Sequence, residues 1–191
     1  MVMLFRSKAS LTARIVSLAH EKGVKVLALF HNLLYGREAD GREVARIALG
    51  TPENRARLVD EVERLLEDYG FDGVNVDIEA FYEGDGELLE VFLEELAARM
   101  RPRRSLLTVS VPAKTDDRGN AWSGPFDYRK IGQIADRVAI MTYDEHGYSS
   151  GPGPIASIGW VEDVVRYAVS RIPRDKLLVG IPAYGFDWTE G

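Results

Sequence analysis

Residues Phe71–Glu79 read FDGVNVDIE, a strand-like run in which Val74, Val76 and Ile78 alternate with Asn75, Asp77 and Glu79. Period-two alternation sends the two sets to opposite sides of a sheet. In an open sheet covered by helices on both sides, the carboxylates would lie under a helix, each at a desolvation cost of several kcal/mol. A barrel resolves the conflict. Its aliphatic side packs against outer helices, while the other side points into a lumen whose C-terminal mouth admits water and ligand. At about 3.3 Å per residue, Asp77 and Glu79 have Cα atoms roughly 6.5 Å apart, close enough for one carboxyl to hold its proton against the other. A carboxyl kept protonated near neutral pH is suited to act as a general acid. Asp72, on the other parity at the strand entrance beside Gly73, is expected to hydrogen-bond deeper in the column.

The rest of the chain supplies matching units. Apolar positions at helical spacing over Leu11–Ala19 precede a predicted strand at Val24–Phe30. A helix from Pro52 to Tyr69 is expected behind the N-cap Thr51, closing at Gly70 before the acidic strand. Predicted helices at Glu87–Met100, Asp127–Ile134 and Ile158–Arg171 precede predicted strands SLLTVSVP, RVAIMTY and KLLVGIPAY. Helix and strand thus alternate five times, which implies an α/β chain with parallel strands. No linker or repeat divides its 191 residues, so a single domain over 1–191 is expected. The long irregular stretches at 113–126 and 144–157 both follow strands, where functional loops concentrate.

Composition narrows the chemistry. A formal net charge of −6, with the only basic cluster at Arg99–Arg104, argues against nucleic acid or an anionic membrane as partner; that cluster reads as a solvated helix end. No apolar run approaches the roughly 18 residues of a spanning helix. Without cysteine there is neither a disulfide nor a thiolate metal site. His20, His31 and His146 have no ligand spacing and read as surface or structural groups, although His146 stands where it could touch a ligand. A Mg²⁺ or Mn²⁺ site on the carboxylates is the competing reading of the acidic strand; no metal is expected. Trp122 and Trp160 are left open between packing and a sugar platform.

The run DGVNVDIE at Asp72–Glu79 resembles the fourth-strand signature of glycoside hydrolase family 18, the chitinase-like (β/α)8 enzymes. Asn75 stands where Asp is commoner and is similar to the branch of spore-cortex-lytic and germination N-acetylglucosaminidases. VKVLALFHN, LLTVSVPAK, RVAIMTYDEHGYSSGPGP and LLVGIPAYGFDW resemble the family's strands three, five, six and seven in order. The resemblance implies a (β/α)8 TIM-barrel type fold and a retaining mechanism in which the substrate's own 2-acetamido group is the nucleophile. It assigns Glu79 as acid and then base, Asp77 to the acetamido N–H and Tyr143 to the acetamido oxygen. It further implies substrate-binding roles for Asp72, Asn75, Asp144, Tyr184 and Trp188, with no cofactor and no metal. The implied partner is a polysaccharide or oligosaccharide containing N-acetylglucosamine, with peptidoglycan of the spore cortex first and chitin oligomers as the alternative. By the same resemblance the setting is extracellular or the spore envelope.

A full barrel has eight strands over about 250 residues, whereas this sequence offers about five, corresponding to family strands three to seven. The expectation is an incomplete barrel, a single partial catalytic domain over 1–191. Two non-enzymatic readings stand beside the hydrolase: a chitinase-like sugar-binding protein and an inactive truncated fragment. Retention of Glu79 speaks against the first.

Overall fold

The structure, a computed structural model, describes residues 9–33, 40–147 and 150–188. Its elements run α1 (Ala9–Glu21), β1 (Leu27–His31), α2 (Gly41–Leu49), α3 (Pro52–Tyr69), β2 (Gly73–Asp77), α4 (Gly86–Met100), β3 (Leu106–Pro112), α5 (Tyr128–Ile134), β4 (Arg137–Met141), α6 (Ile158–Val169) and β5 (Leu177–Val179). All neighbouring strands are parallel, in the spatial order β1-β2-β3-β4-β5. Each successive strand is reached through at least one helix, as a parallel connection requires. This is the α/β architecture of a barrel that is incomplete, with β1 and β5 as its edges among the described residues.

Local chemistry sets the ends of these elements. Thr51 caps α3 by accepting the N–H of Asn54, Pro52 opens the helix, and the N–H of Gly70 closes it on the Leu66 carbonyl. Asp40 caps α2 through the Arg42 N–H, and Asp127 caps α5 through the N–H groups of Arg129 and Lys130. The basic cluster at the end of α4 is tied to α3: Arg99 pairs with Asp60 and Glu63, and Arg103 with Glu63 and Glu67.

The outer side of the sheet is the core. Val74, Val76, Leu107, Val109, Val111, Val138 and Ile140 are buried on it. Helix α3 lies on β2, α4 on β3 and α5 on β4, adding Leu58, Val62, Leu66, Leu89, Phe92, Leu93, Leu96 and Ile131 to one contiguous cluster. The inner side is different in kind. In register across it lie Leu29 with Asn75, and His31 with Asp77, Asn75 with Thr108, and Ser110 with Ala139. Leu29 and Leu178, at the two edges of this inner face, are 47% and 48% exposed, so apolar surface is left uncovered where the sheet ends.

Two expectations change. Helix α2 was not read from the sequence. The run KLLVGIPAY forms a strand only over Leu177–Val179; Pro182 has no N–H to give a ladder, and Ile181 is 86% exposed.

Candidate active site

The acidic strand is oriented as its parity requires. Val74, Val76 and Ile78 are buried on the helix side, while Asn75, Asp77 and Glu79 are half-buried on the other. Below the mouth the inner face holds a polar column. Thr108 Oγ1 donates to Asn75 Oδ1 at 2.7 Å, and Asn75 Nδ2 donates to Ser110 Oγ at 2.9 Å. Ser110 in turn bears on Asp77. Both ends of the Asn75 amide are therefore engaged one pleat beneath Asp77. It supports the site from below rather than lining it, which corrects its expected role in holding substrate.

Asp77 and Glu79 are both shifted toward the protonated form. Burial raises the Asp77 carboxyl, against the opposing charge of His31 across the ladder and the hydrogen bond from Ser110. Its Oδ1 is buried with no hydrogen-bond partner among the described residues, an acceptor without a donor that is uncommon in folded proteins. Burial, then the charges of Asp77 and Asp144, raise the Glu79 carboxyl to about 7. The Tyr143 phenol is raised by burial and by the charges of Asp77, Glu79 and Asp144, so it remains a proton donor. These mutual influences place the four groups at one mouth.

Tyr143 reaches the site because the residue that follows β5 is glycine. A Cβ on Gly180 would lie 2.7 Å from the Tyr143 ring, so any side chain there would displace the phenol. Asp144 follows with φ of 59°, a left-handed conformation that Asp tolerates better than most residues. There it accepts a 2.6 Å hydrogen bond from Tyr184 Oη. Tyr143, Tyr184, Phe186 and Trp188 then form a chain of ring contacts with centroids 5.8–6.3 Å apart. The expected residues at the ends of β4 and β5 are thus brought together.

Asp72 is not among them. Its Oδ2 accepts the Val26 N–H at 2.7 Å and lies 2.9 Å from His20 Nε2, at the N-terminal end of the sheet. Five residues of strand, about 16 Å, separate it from the mouth. Its expected roles in the column and in substrate binding are corrected to a structural tie between α1, β1 and β2.

The sequence reading missed Asn32. This side chain is 5% exposed, and its Oδ1 accepts the N–H groups of Glu79 and Ala80 while Nδ2 donates to the carbonyls of Ala80 and Gly41. It fixes the backbone that carries the acid. Trp160 packs against the core, whereas Trp122 is half-exposed and lines a hollow that Glu79 also borders. His146 Nδ1 lies 3.1 Å from the Pro154 carbonyl. Among the described residues no group of three His, Asp or Glu side chains could hold a metal ion.

Residues 38–191 match the family described as glycosyl hydrolases family 18. The chain belongs to this family. It is 34% identical over 174 residues to the uncharacterized glycosylase YvbX of Bacillus subtilis, spanning 89% of this chain and 50% of that protein. It is 33% identical over 175 residues to the cortical fragment-lytic enzyme of Bacillus subtilis, spanning 91% and 40%. The crystal structure of a chitinase from Chromobacterium violaceum matches with a TM-score of 0.84 and 31% identity, over 92% of this chain and 55% of that one. The chain thus spans about half or less of the curated relatives it matches.

Proposed function

We propose that the protein is a retaining β-N-acetylglucosaminidase acting on peptidoglycan of the spore-cortex type. The observation that carries the reading is the set at the mouth of the inner face: Glu79 with its carboxyl raised to about 7, Asp77 with an unpartnered buried oxygen, and Tyr143 as a lasting donor. In this reading Glu79 gives its proton to the glycosidic oxygen as the substrate's acetamido carbonyl oxygen attacks the anomeric carbon. The bond to the leaving sugar breaks and a cyclic oxazolinium forms. Asp77 accepts the acetamido N–H and balances the positive charge, and Tyr143 donates to the acetamido oxygen. Ionised Glu79 then takes a proton from the water that reopens the ring, so configuration is retained and no enzyme nucleophile is used. Asp144, Tyr184 and Trp188 border the sugar whose bond is cut. The nature of the polymer follows the cortical fragment-lytic relative; likeness to a chitinase structure favours chitin oligomers as the second reading.

The test is turnover of cortex fragments and of chitin oligomers by the protein and by its Glu79→Gln variant. The expected result is hydrolysis of cortex fragments, lowered by about 10²-fold or more in the variant. Equal turnover by the two proteins overturns the role of Glu79. Tight sugar binding with no hydrolysis favours the sugar-binding reading.

A further inference from the structure

His31 ends β1, the strand that lies beside the acidic one. Alternation along β1 buries Ala28 and Phe30 on the helix side and sends Leu29 and His31 to the inner face. His31 is the register partner of Asp77. At ordinary strand spacing their Cα atoms are about 4.8 Å apart, and the two side chains stand on the same face at the same height. No ligand spacing marks His31 in the sequence; the topology of the sheet brings it to Asp77.

The mouth around this pair is rich in acids. Asp77 and Glu79 stand at the end of β2, with Asp144 and the Tyr143 phenol just beyond β4. Asp77 and Asp144 both act on Glu79, and all three carboxyls act on Tyr143. Among the described residues, His31 is the one positive group that acts on Asp77, and none acts on Glu79 or Tyr143. Other cations near the mouth are engaged elsewhere. On α2, Arg42 is paired with Asp40 and Arg46 with Asp85, while Lys114, beyond the end of β3, donates to the carbonyls of Asp117 and Phe126. Ser110 on β3 gives Asp77 a hydrogen bond, yet Oδ1 is buried without a donor. A carboxylate in such a place keeps its charge only where something offsets its lost hydration.

We propose that His31 is a positioning residue for the reaction, whose imidazolium holds Asp77 ionised while Glu79 keeps its proton. The inference rests on the proposed function, which needs both states at once: an ionised Asp77 to accept the acetamido N–H and balance the oxazolinium, and a protonated Glu79 to serve the leaving oxygen. Two neighbouring carboxyls do not by themselves decide which of them carries the charge. Burial acts on both in the same direction, and a cation beside only one of them breaks the tie. Histidine gains its charge on the acid side of neutrality, which is the side on which Asp77 would be neutralised. His31 acts on the sugar only through Asp77.

The experiment measures kcat/KM on cortex fragments as a function of pH for the wild type, His31→Gln and His31→Lys. The expected result is that the acid limb, where Asp77 loses its proton, moves up by about one pH unit in His31→Gln and stays at the wild-type position in His31→Lys, which keeps the charge. The alkaline limb of His31→Gln, set by Glu79, should not move. A loss of rate at every pH with an unmoved acid limb makes His31 merely structural and overturns the proposal, as does an equal shift in both variants. Carbon-13 NMR of the Asp77 carboxyl in sugar-free protein supplies a second reading. Its titration midpoint should rise by about one pH unit in His31→Gln, and in the wild type alone its signal should show a second inflection where the His31 ring resonances titrate; absence of both overturns the proposal. Hydrolysis by none of the three proteins overturns the hydrolase reading instead, and the Asp77 titration then decides by itself whether His31 holds that carboxyl ionised.

Discussion

Replacing Glu79 by Gln should make the protein more stable at alkaline pH while disabling it. The carboxyl is lifted from an ordinary 4.5 to about 7, first by burial and then by the neighbouring charges of Asp77 and Asp144. A folded state that binds a proton more tightly than the unfolded chain keeps this group's full contribution below pH 4.5 and loses it as pH rises through 7. The difference corresponds to about 3 kcal/mol, and solvent screening at a side chain that is not fully enclosed reduces it to about 2 kcal/mol. Glutamine has the same shape and never ionises. Chemical denaturation of both proteins between pH 4 and 8.5 should therefore show no difference at the acid end and an advantage of about 2 kcal/mol for Glu79→Gln at the alkaline end. For a chain of this size that is a melting point about 4–8 °C higher. A variant that is equally stable or less stable at pH 8.5, or an advantage that does not change with pH, refutes the argument that Glu79 is held protonated by its surroundings.

Asn32→Ala removes four hydrogen bonds around the acid's backbone. It should lower kcat by about 10²-fold with little change in KM, since small misplacement of a reacting group carries that penalty, and thermal unfolding should show a loss of about 3 kcal/mol. Asp72→Asn should weaken stability by about 1 kcal/mol in denaturant titrations, because the acceptor of the Val26 N–H and the partner of His20 loses its charge, while steady-state rates stay within twofold of wild type, roughly the scale of a change away from the site. A large drop in kcat for Asp72→Asn would restore it to the active site.

Much of the fold was legible because its signals are local. The capping of Pro52–Tyr69 by Thr51 and Gly70, and the alternation through Val74–Ile78, are written in neighbouring residues. Helix α2 was harder, since its nine residues bury little beyond Ala45 and Leu49. The site divided in the same way. Parity placed Asp77 and Glu79 correctly on the inner face, and Asp72 was misjudged by treating closeness in sequence as closeness along the column. Asn32 could not be found by pattern: it bonds the backbone of residues 79 and 80, and backbone atoms leave no mark on residue choice at that distance. Trp122 was left open between packing and a sugar platform, because whether a tryptophan faces core or water depends on how the loop over 113–127 closes.

The interleaving of two functions along one short strand limits how its length can vary. Deleting or inserting a single residue between Gly73 and Glu79 would exchange the two sides, driving carboxylates beneath α3 and α4 and turning valines toward the mouth of the inner face. The loop bearing Trp122 is under no such constraint, because its ends are pinned by Lys114 and Tyr128. Length can therefore vary between Pro112 and Tyr128 without inverting the sheet, whereas the spacing of the acid strand must stay unaltered.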